Sequence, residues 1–301
     1  MNDASLRQKQ SLPLAAKVAL TESRIREWVD HWAGQVYVAF SGGKDSTVLM
    51  HIARRMYPEI PAVFIDTGLE YPELRDFVKG FDGVEWIRPK KLFADVVREY
   101  GYPVVSKEIA QHIYEIRRTK SEKLLARRLS DDIYMSGRLP VKWRYLLDAP
   151  FPVSHKCCEW LKKEPARRYE KATGRKPLLG TMASESTLRK QRYLRYGCNG
   201  FDMKRPASTP MAFWLEEDVW EYIKKENVAI AKIYEMGYER TGCMFCAFGY
   251  QYDGDNDRFE RMRTTHPAQY KYCMNTLGMR EVLGYIKKAN CNSAYGRKEE
   301  P

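Results

Sequence analysis

The apolar positions near the start of the chain alternate between helical and strand-like spacing. Apolar side chains recur every three or four residues over 14–33, which predicts a helix. Three short apolar runs follow, and a helical pattern separates each run from the next. Strands that alternate with helices through short connections predict a parallel sheet covered on both faces. The predicted strands are 36–40, 62–65 and 84–87, and the helices between them are 45–56 and 72–80.

The rest of the chain continues this alternation with longer helical stretches. Residues 92–135 are polar and helical in spacing, and a proline-rich break follows at 140–152. The order of elements therefore predicts an α/β protein. The remaining predicted elements are a helix over 158–172, a strand over 176–180, a helix that begins at Asp218, and helices over 257–274 and 279–288.

Candidate chemistry begins directly after the first predicted strand, at Ser41-Gly42-Gly43-Lys44-Asp45-Ser46-Thr47. Two glycines let the backbone turn tightly and bring its N–H groups to an anion, and the following helix N-terminus adds partial positive charge. With three hydroxyls and one lysine, the loop predicts a site for a polyphosphate or a pyrophosphate. It is not the G-x-x-x-x-G-K-[ST] loop, because Val38 and Asp45 stand where that motif needs Gly and Ser or Thr. A glycine turn without a ligand is the alternative.

A second polar segment, which begins Asp66-Thr67-Gly68, follows the second predicted strand. Ligands of open parallel sheets bind beyond the carboxyl ends of the strands. We therefore expect this segment and the loop at 41–47 to meet at one edge of the sheet. Asp45 or Asp66 is expected to hold Mg²⁺, and a helix cap or a strand-end hydrogen-bond acceptor is the alternative role for each.

Length and composition limit the class of protein. A chain of 301 residues with 44% hydrophobic residues can form one large domain, or one domain and a smaller lobe. The sequence contains no apolar run long enough to span a membrane, and residues 1–13 lack the apolar core of a signal peptide. We therefore expect a cytoplasmic protein that does not act at a membrane.

The net charge of +12 predicts attraction to polyanions. Six basic residues lie between Glu115 and Arg128, against two acidic ones. Such a run predicts salt-sensitive contact with nucleic-acid phosphates, and a solvated helix face is the alternative. Nearby aromatic residues are candidates for base stacking or, equally, for the core: Tyr114, Tyr134, Trp143 and Tyr145.

Seven cysteines, an odd number, favour metal or redox chemistry over a disulfide framework in a chain expected to be intracellular. The tandem pair Cys157-Cys158 and the C-x-x-C of Cys243 and Cys246 would together offer four thiolates to zinc or to an iron–sulfur cluster. Tandem ligands are unusual for zinc, and burial as small apolar residues is the alternative for that pair. The remaining cysteines are expected in the core: Cys198, Cys273 and Cys291.

Together these motifs resemble the phosphoadenosine phosphosulfate reductase family over roughly residues 35–250. The resemblance implies a Rossmann-like, doubly wound parallel sheet of the adenine nucleotide alpha hydrolase type, with a small helical, cysteine-containing C-terminal lobe. It divides the chain into an N-terminal helix (1–33), a nucleotide-binding domain (34–230) and that lobe (231–301). The motifs that carry it are S-G-G-x-D-S at 41–46, Cys157-Cys158 with Leu161-Lys162-x-x-Pro165, the C-x-x-C, and Pro210-x-x-x-Trp214-x-x-x-Asp218-Val219-Trp220-x-Tyr222-Ile223.

The resemblance also implies roles for individual residues. The loop is similar to the pyrophosphate loop of enzymes that split ATP between the α and β phosphates, which makes Lys44, Asp45 and Ser46 the candidate catalytic residues. The four cysteines named above, Cys157, Cys158, Cys243 and Cys246, correspond to the [4Fe–4S] ligands of adenylyl-sulfate reductases, with zinc as the second choice. The candidate nucleotide-binding residues are Ser41, Gly42, Gly43 and Thr47 of the loop, together with Asp66, Thr67 and Gly68, which the predicted sheet places at the same edge.

A third segment, from Gly180 to Arg189, is similar to the family's substrate-phosphate segment. Ser186 and Arg189 are the implied contacts to phosphate or sulfate, since arginine pairs with such anions through two hydrogen bonds. Met182 stands where the family often has arginine, so part of the family's anion site is missing from this sequence. An exposed arginine without a ligand is the alternative for Arg189.

Two departures from the reductase pattern favour the use of ATP. Reductases of this family carry a nucleophilic cysteine in a C-terminal Glu-Cys-Gly-Leu-His motif, whereas this chain has Ala289-Asn290-Cys291-Asn292-Ser293. Reductases also usually have a degenerate glycine loop, whereas the loop at 41–47 is intact. Intact loops occur in ATP-splitting relatives, including enzymes that insert sulfur into tRNA or into the DNA backbone.

The hypothesis is therefore an enzyme that cleaves ATP to AMP and pyrophosphate with Mg²⁺ and activates an acceptor for sulfur transfer. The acceptor is expected to be nucleic acid, either DNA or tRNA, and a separate protein is expected to donate the sulfur. One alternative is a reductase that converts adenylyl sulfate or its 3′-phosphate to sulfite through a cysteine such as Cys291. Another is a non-enzymatic module that senses nucleotides or binds nucleic acid around a structural metal.

Overall fold

The chain forms two compact units that interleave in sequence. In the computed structural model, residues 2–254 and 257–295 are described, the side chains only as far as residue 287. The first unit contains the residues up to Asp66, Glu70–Arg88 and Glu164–Thr241; the second contains Thr67–Leu69, Pro89–Lys163 and the described residues from Gly242 onward. All four candidate ligand cysteines belong to the second unit. The division of the sequence at 33/34 and 230/231 stays a prediction.

Helices and short strands make up most of both units. The α-helices are α1 (Asp3–Gln10), α2 (Leu14–His31), α3 (Lys44–Met56), α4 (Pro72–Lys79), α5 (Phe93–Tyr100), α6 (Lys107–Ile116), α7 (Glu122–Arg128), α8 (Glu164–Thr173), α9 (Thr187–Tyr196), α10 (Glu216–Lys225), α11 (Arg258–Thr265), α12 (Pro267–Lys271) and α13 (Met279–Tyr295). The strands are β1 (Val36–Ala39), β2 (Ala62–Ile65), β3 (Val84–Ile87), β4 (Val104–Val105), β5 (Lys176–Leu179), β6 (Asn199–Gly200), β7 (Ala207–Ser208) and β8 (Ala247–Phe248). Shorter 3₁₀ or π turns cover Val141–Asp148, Glu159–Lys163, Ala183–Glu185, Lys232–Tyr234, Tyr250–Tyr252 and Tyr272–Thr276.

The first unit is built on a six-stranded sheet of order β3-β2-β1-β5-β7-β6. Its strands are parallel except for β6, which runs antiparallel to β7. The chain adds β2 and β3 on one side of β1, and β5 and β7 on the other. This confirms the α/β, Rossmann-like, doubly wound sheet. The strand order reverses between β1 and β5, which is where such sheets bind ligands.

The central strand β1 is buried on both faces, as expected for a parallel sheet covered by helices. On one face, Val36 and Val38 join the main core, which also includes Ile52 of α3 and Trp28 of α2. On the other face, Tyr37 packs against Tyr169 of α8 with ring centroids 4.9 Å apart. The unbroken apolar run thus reflects burial on both sides, and it fixes the position at which the loop after β1 begins.

A buried ion pair ties α2 to α10. The Lys17 ammonium lies 2.6 Å from the Asp218 carboxylate, and the Lys17 side chain is only 2% exposed. Asp218 also accepts the Leu215 backbone N–H at 2.7 Å, which caps the start of α10. Beside this pair, the Trp214 indole N–H donates to Thr21 Oγ1 at 2.9 Å. The Trp214 and Asp218 positions of the family motif therefore have a structural role here.

The stretch 92–135 differs from the single helical pattern of the sequence, because it forms α5, α6 and α7 with the short strand β4 between α5 and α6. Gly101 ends α5 with φ of 115°, and a Cβ at this position would lie 2.5 Å from the Pro152 carbonyl carbon. Pro103 then prevents the helix from resuming. Strand β4 pairs in parallel with β8. No described helix is both long enough and apolar enough to cross a membrane.

Candidate functional site

The glycine loop begins where β1 ends, beside the point where the strand order reverses. Gly42 has φ of 75°, a conformation that favours glycine. A Cβ at Gly42 would lie 2.8 Å from Val78 Cγ2 of α4. The fold therefore requires glycine at this position twice over, for its dihedral angle and for the close approach of α4.

The loop hydroxyls bind the loop itself. Ser46 Oγ and Thr47 Oγ1 both donate to the Gly43 carbonyl, at 2.9 and 3.0 Å. The Ser41 backbone N–H donates to Ser46 Oγ at 3.1 Å, and the two serine hydroxyls lie 3.0 Å apart. These bonds hold the backbone of residues 41–47, which form the glycine turn and the first turn of α3. Preorganised N–H donors of this kind are what a phosphate-binding loop needs.

Lys44 is buried at the start of α3, with 4% of its surface exposed. Its ammonium lies 3.3 Å from Asp45 Oδ1 and 3.2 Å from Glu216 Oε1. Burial by itself lowers the pKa of Lys44, but Asp45 and Glu216 outweigh burial and hold that pKa above its ordinary value. Burial raises the pKa of Asp45, an effect that Lys44 opposes. Lys44 is therefore a fully charged cation inside the loop.

Two residues at this lysine were not predicted from the sequence. Glu216 opens α10 and pairs with Lys44, and the Trp220 ring lies 5.9 Å from the ammonium. Both fall inside or beside the Pro210–Ile223 family motif, but neither has a local pattern that signals contact with the loop. Only the fold brings α10 to the start of α3.

Tyr234 is a third residue that the sequence did not reveal. Its hydroxyl accepts the Lys44 backbone N–H at 2.7 Å and lies 3.3 Å from Thr241 Oγ1. Burial raises the pKa of Tyr234. A Cβ on Gly43 would lie 2.8 Å from Thr241 Oγ1, so the second glycine lets this threonine approach the loop. The tyrosine oxygen occupies a backbone donor that a phosphate oxygen would also use.

The segment that begins at Asp66 follows β2, the strand next to β1, as predicted. The Asp66 carboxylate already has cationic partners. Asp66 is buried, and its carboxylate accepts from Arg75 at 3.0 Å and from Arg88 at 3.3 Å. Thr67 Oγ1 accepts the Leu69 backbone N–H at 3.2 Å, and Gly68 has φ of 76°. The nucleotide-binding role of these three residues stays a prediction.

The segment after β5 reaches the glycine loop through Gly180. A Cβ at Gly180 would lie 2.8 Å from the Asp45 carbonyl oxygen, so glycine is needed for this close approach. Ser186 Oγ accepts the Arg189 backbone N–H at 3.3 Å and caps α9, and Arg189 forms an ion pair with Glu185. Both predicted anion contacts thus have local partners, and their phosphate role stays a prediction.

The second unit brings the four cysteines into one neighbourhood. The sulfurs of Cys157 and Cys158 lie 4.0 Å apart, too far for a disulfide. The hydrogen bond that the Cys157 thiol donates to Cys158 lowers the pKa of Cys158 and raises the pKa of Cys157. The positive charges of Lys107, Lys162 and Lys163 lower the pKa of Cys158 further. Cys243 and Cys246 are close enough to raise the pKa of Cys157 further. Burial raises the pKa of Cys246 to about 11.

These thiols do not form a closed metal cage. Among the described side chains, no three His, Cys, Asp or Glu residues are grouped so as to hold a metal ion. The donor set itself fits a thiolate-bound metal, because four thiols and neighbouring lysines share one unit. Cys198 and Cys273 are buried, which confirms the core prediction for both. The side chain of Cys291 lies outside the described residues.

The fold and the loop define an α/β protein with a glycine loop at the switch point of a doubly wound sheet. The family model for the phosphoadenosine phosphosulfate reductase domain matches residues 35–138 and 92–248. The matched segments cover more than half of the chain, and the chain therefore belongs to the phosphoadenosine phosphosulfate reductase family.

Individual proteins with similar sequences include uncharacterized proteins and a reductase. Two uncharacterized proteins of Methanocaldococcus jannaschii are each 26% identical, over 216 and 270 residues, which cover 70% and 88% of this chain. The same matches cover only 36% and 52% of those proteins, so the chain spans at most about half of their length. An adenosine 5′-phosphosulfate reductase of Geobacillus kaustophilus is 22% identical over 220 residues, 71% of this chain and 74% of that enzyme.

Solved structures with a similar chain path include enzymes of more than one activity. The phosphoadenylyl-sulfate reductase of Candida auris has a TM-score of 0.44 at 16% identity, covering 81% of this chain and 96% of that one. A U34-tRNA thiolase of Methanococcus maripaludis, solved with its [4Fe-4S] cluster, has a TM-score of 0.40 at 14% identity, covering 89% and 80%. At these TM-scores the similarity supports no inference about function.

Proposed function

We propose that this chain binds ATP at residues 41–47, cleaves it to AMP and pyrophosphate, and so activates a nucleic-acid acceptor for sulfur transfer. The observation that carries the proposal is the intact loop: Gly42 in its required conformation, the N-terminus of α3 behind it, and Lys44 charged and buried within it. A substrate without β and γ phosphates would leave this arrangement unused.

The roles within the loop follow from charge. Lys44 and the backbone N–H groups at the start of α3 would stabilise the charge that develops on the leaving pyrophosphate. Ser41, Ser46 and Thr47 hold the turn, and Ser46 lies where its hydroxyl can exchange its bond to Gly43 for one to phosphate. Of the two aspartates proposed for Mg²⁺, Asp45 is better placed, because the Asp66 carboxylate is held by two arginines.

The proposed reaction has two displacements. An oxygen of the acceptor attacks the α phosphorus, the bond from that phosphorus to the bridging α–β oxygen breaks, and pyrophosphate leaves with Mg²⁺. A sulfur nucleophile then attacks the acceptor carbon, and the carbon–oxygen bond breaks to release AMP. The sulfur comes from a donor protein, which the chain does not itself supply.

The four cysteines are the proposed ligands of a metal group. Cys157, Cys158, Cys243 and Cys246 would hold a [4Fe–4S] cluster, with zinc as the second choice, and an iron–sulfur cluster would supply a site that binds and activates sulfur. The lysines beside Cys158 offset the negative charge of the thiolates, which favours the deprotonated form that metals bind.

Labelled nucleotide tests the proposal directly. Anaerobically purified protein is incubated with Mg²⁺, total RNA or DNA, and ATP labelled at the α phosphate. The expected products are labelled AMP or an adenylylated nucleic acid. Lys44→Ala should lower the rate by about 10²–10³-fold, the usual cost of a preorganised electrostatic contact. Lys79→Ala, an exposed lysine of α4, is the matched control and should keep the full rate.

A second candidate is a sulfonucleotide reductase, which the identity to adenosine 5′-phosphosulfate reductases favours. It predicts release of sulfite from adenylyl sulfate, or from its 3′-phosphate, in the presence of a thiol reductant. Cys291→Ser should abolish that release if Cys291 is the nucleophile and should leave ATP cleavage unchanged. Sulfite release with no cleavage of ATP would replace the ATP proposal. Binding of ATP with neither reaction would indicate a sensing module.

A further inference from the structure

The second unit presents an exposed aromatic tip after α7, in a connection that Arg127 approaches: a Cβ at Gly137 would lie 3.2 Å from the Arg127 guanidinium. The tip comprises Ile133, Tyr134 and Met135, whose exposed fractions are 68%, 89% and 40%. It lies in the connection between α7 and the 3₁₀ turn Val141–Asp148. Of the four aromatic residues that the sequence offers for base stacking, Trp143 is buried, and the Tyr114 ring is covered by Arg118 at 4.0 Å. Tyr145 is half-buried, with its ring 5.8 Å from that of Tyr285, so Tyr134 is the fully exposed aromatic side chain of this set.

The connection that carries the tip is held in place by buried and half-buried arginines. Arg128 pairs with Glu115 at 2.6 Å and donates to the Gly137 carbonyl. Arg144 donates to the Leu129 and Ser130 carbonyls at 2.8 and 3.0 Å. The tip is therefore a fixed turn. Because its backbone is already ordered, binding of a ligand to Tyr134 costs little backbone entropy.

The turn at the tip is also closed from within. Asp132 Oδ1 accepts the Tyr134 backbone N–H at 2.9 Å, and the Asp132 carbonyl accepts from Met135 at 3.0 Å. Asp131 pairs with Arg144 at 2.9 Å. Both acidic residues that precede the tip thus help to hold it: Arg144 neutralises Asp131, whereas the exposed Asp132 carboxylate keeps its negative charge.

The basic run at 115–128 divides into structural and free cations. Arg117 donates to the carbonyls of the proline-rich break, Arg118 covers Tyr114, and Arg128 holds the connection. The other three are exposed and make no ion pair with the described residues: Lys120, which precedes α7, and Lys123 and Arg127, which lie four residues apart on α7. Glu122, in the first turn of α7, is the one acidic residue among them.

We propose that this surface, formed by Tyr134 and its neighbours with Lys120, Lys123 and Arg127, binds unpaired nucleotides in an RNA loop. Exposed aromatic rings take the faces of unstacked bases, and nearby cations contact the backbone phosphates. Bases inside a duplex offer no such face, and RNA loops present unstacked bases on their surface. The proposal names the acceptor class of the proposed function and rests on that function for its purpose, but binding itself requires no ATP.

Binding of fluorescent RNA to the full chain tests the surface without ATP. The probes are an RNA hairpin with an open loop, a fully paired RNA of the same sequence, and a DNA hairpin that matches the first. Tyr134→Ala should weaken binding of the RNA hairpin by about tenfold, since one base stacked on an aromatic ring contributes about that much, and Tyr134→Phe should restore it. Tyr252→Ala, at another exposed tyrosine of the same unit, is the matched control and should bind as the unchanged chain does.

The phosphate contacts have a separate signature. Lys123→Ala combined with Arg127→Ala should reduce the slope of log affinity against log salt by about 1 to 2, the value for two lost phosphate contacts. Equal affinity for the paired RNA, equal affinity for the DNA hairpin, or an unchanged affinity in Tyr134→Ala would each overturn the proposal. So would loss of a dimer in Tyr134→Ala by sedimentation, which would assign the tip to a second copy of the chain. These binding measurements use no ATP, so they test the RNA surface even if the protein does not cleave ATP.

Discussion

The hydroxyl of Tyr234 accepts a hydrogen bond from the backbone N–H of Lys44 at 2.7 Å. This N–H is one of the donors at the start of α3 that have no partner within the helix and that a phosphate oxygen would accept from. Tyr234 is therefore a built-in competitor for the proposed pyrophosphate position. The structure thus links the loop to a segment 190 residues further along the chain.

Removing this competitor is expected to strengthen the binding of ATP. Tyr234→Phe keeps the ring and deletes the oxygen, so the Lys44 N–H is left for phosphate. A hydrogen bond of this kind contributes about 1 kcal/mol, so affinity should rise about threefold to tenfold in equilibrium titration with a non-hydrolysable ATP analogue. Tyr57→Phe, in the same unit but outside the loop, should have no effect. Weaker binding in Tyr234→Phe would instead make the hydroxyl a direct contact to the nucleotide.

Gly42→Ala should destabilise the first unit, because the new Cβ meets Val78 and the left-handed backbone disfavours a side chain. The two effects together should cost about 2–4 kcal/mol in urea unfolding. Gly174→Ala is the matched control, since Gly174 has φ of 74° and no neighbouring atom within 4 Å of its Cβ position. It carries the backbone cost alone, about 1 kcal/mol. Equal losses in the two variants would contradict the proposed contact with Val78.

The buried pair of Lys17 and Asp218 predicts a larger effect than any surface pair. Asp218→Asn leaves the Lys17 ammonium buried without a counter-charge and weakens the cap of α10. Breaking a buried ion pair costs about 3–5 kcal/mol, which should be measurable as a lower urea midpoint. The control is Asp3→Asn, which breaks the exposed pair with Lys190 and should change stability by less than about 1 kcal/mol. A small loss in Asp218→Asn would show that water reaches Lys17.

The sequence predicted the sheet well where burial leaves a clear pattern. Strands β2 and β3 have the predicted bounds, because their apolar runs end at a proline, an aspartate or a turn. The sequence does not predict strands β4, β6, β7 and β8, since two residues are too few to show a period. The helical pattern at 92–135 looks continuous in the sequence because Gly101 and Pro103 interrupt it only briefly.

The candidate site likewise contains residues that the sequence reveals and residues that only the fold reveals. Its glycine loop is local in sequence, so residues 41–47 could be identified from their order alone. Glu216, Trp220 and Tyr234 could not, because each reaches Lys44 only through the packing of distant elements. The family motif around Asp218 pointed to the right region, but its buried aspartate pairs with Lys17, and the glutamate at the start of α10 faces the loop lysine.

The cysteines of the metal-free protein should differ in reactivity in an order set by their pKa values. A lowered pKa places more of the Cys158 thiol in the reactive thiolate form near neutral pH. Burial raises the pKa of Cys246 to about 11 and that of Cys198 to about 12, so both stay protonated there. Alkylation by iodoacetamide, followed by mass spectrometry across a pH series, should therefore label Cys158 first. Labelling of Cys158 should already be rapid below the ordinary thiol pKa of about 8.5.

The lysines beside Cys158 provide the control for this order. Lys107→Ala removes one of the charges that lower the pKa of Cys158, so the rise in its labelling should move to higher pH. Arg98→Ala, an exposed cation of the same unit that forms its ion pair with Asp95, should leave the profile unchanged. Loading with iron and sulfide, or with zinc, should protect Cys157, Cys158, Cys243 and Cys246 together if they are the ligands. Protection of the C-x-x-C pair alone would remove the tandem cysteines from the metal site.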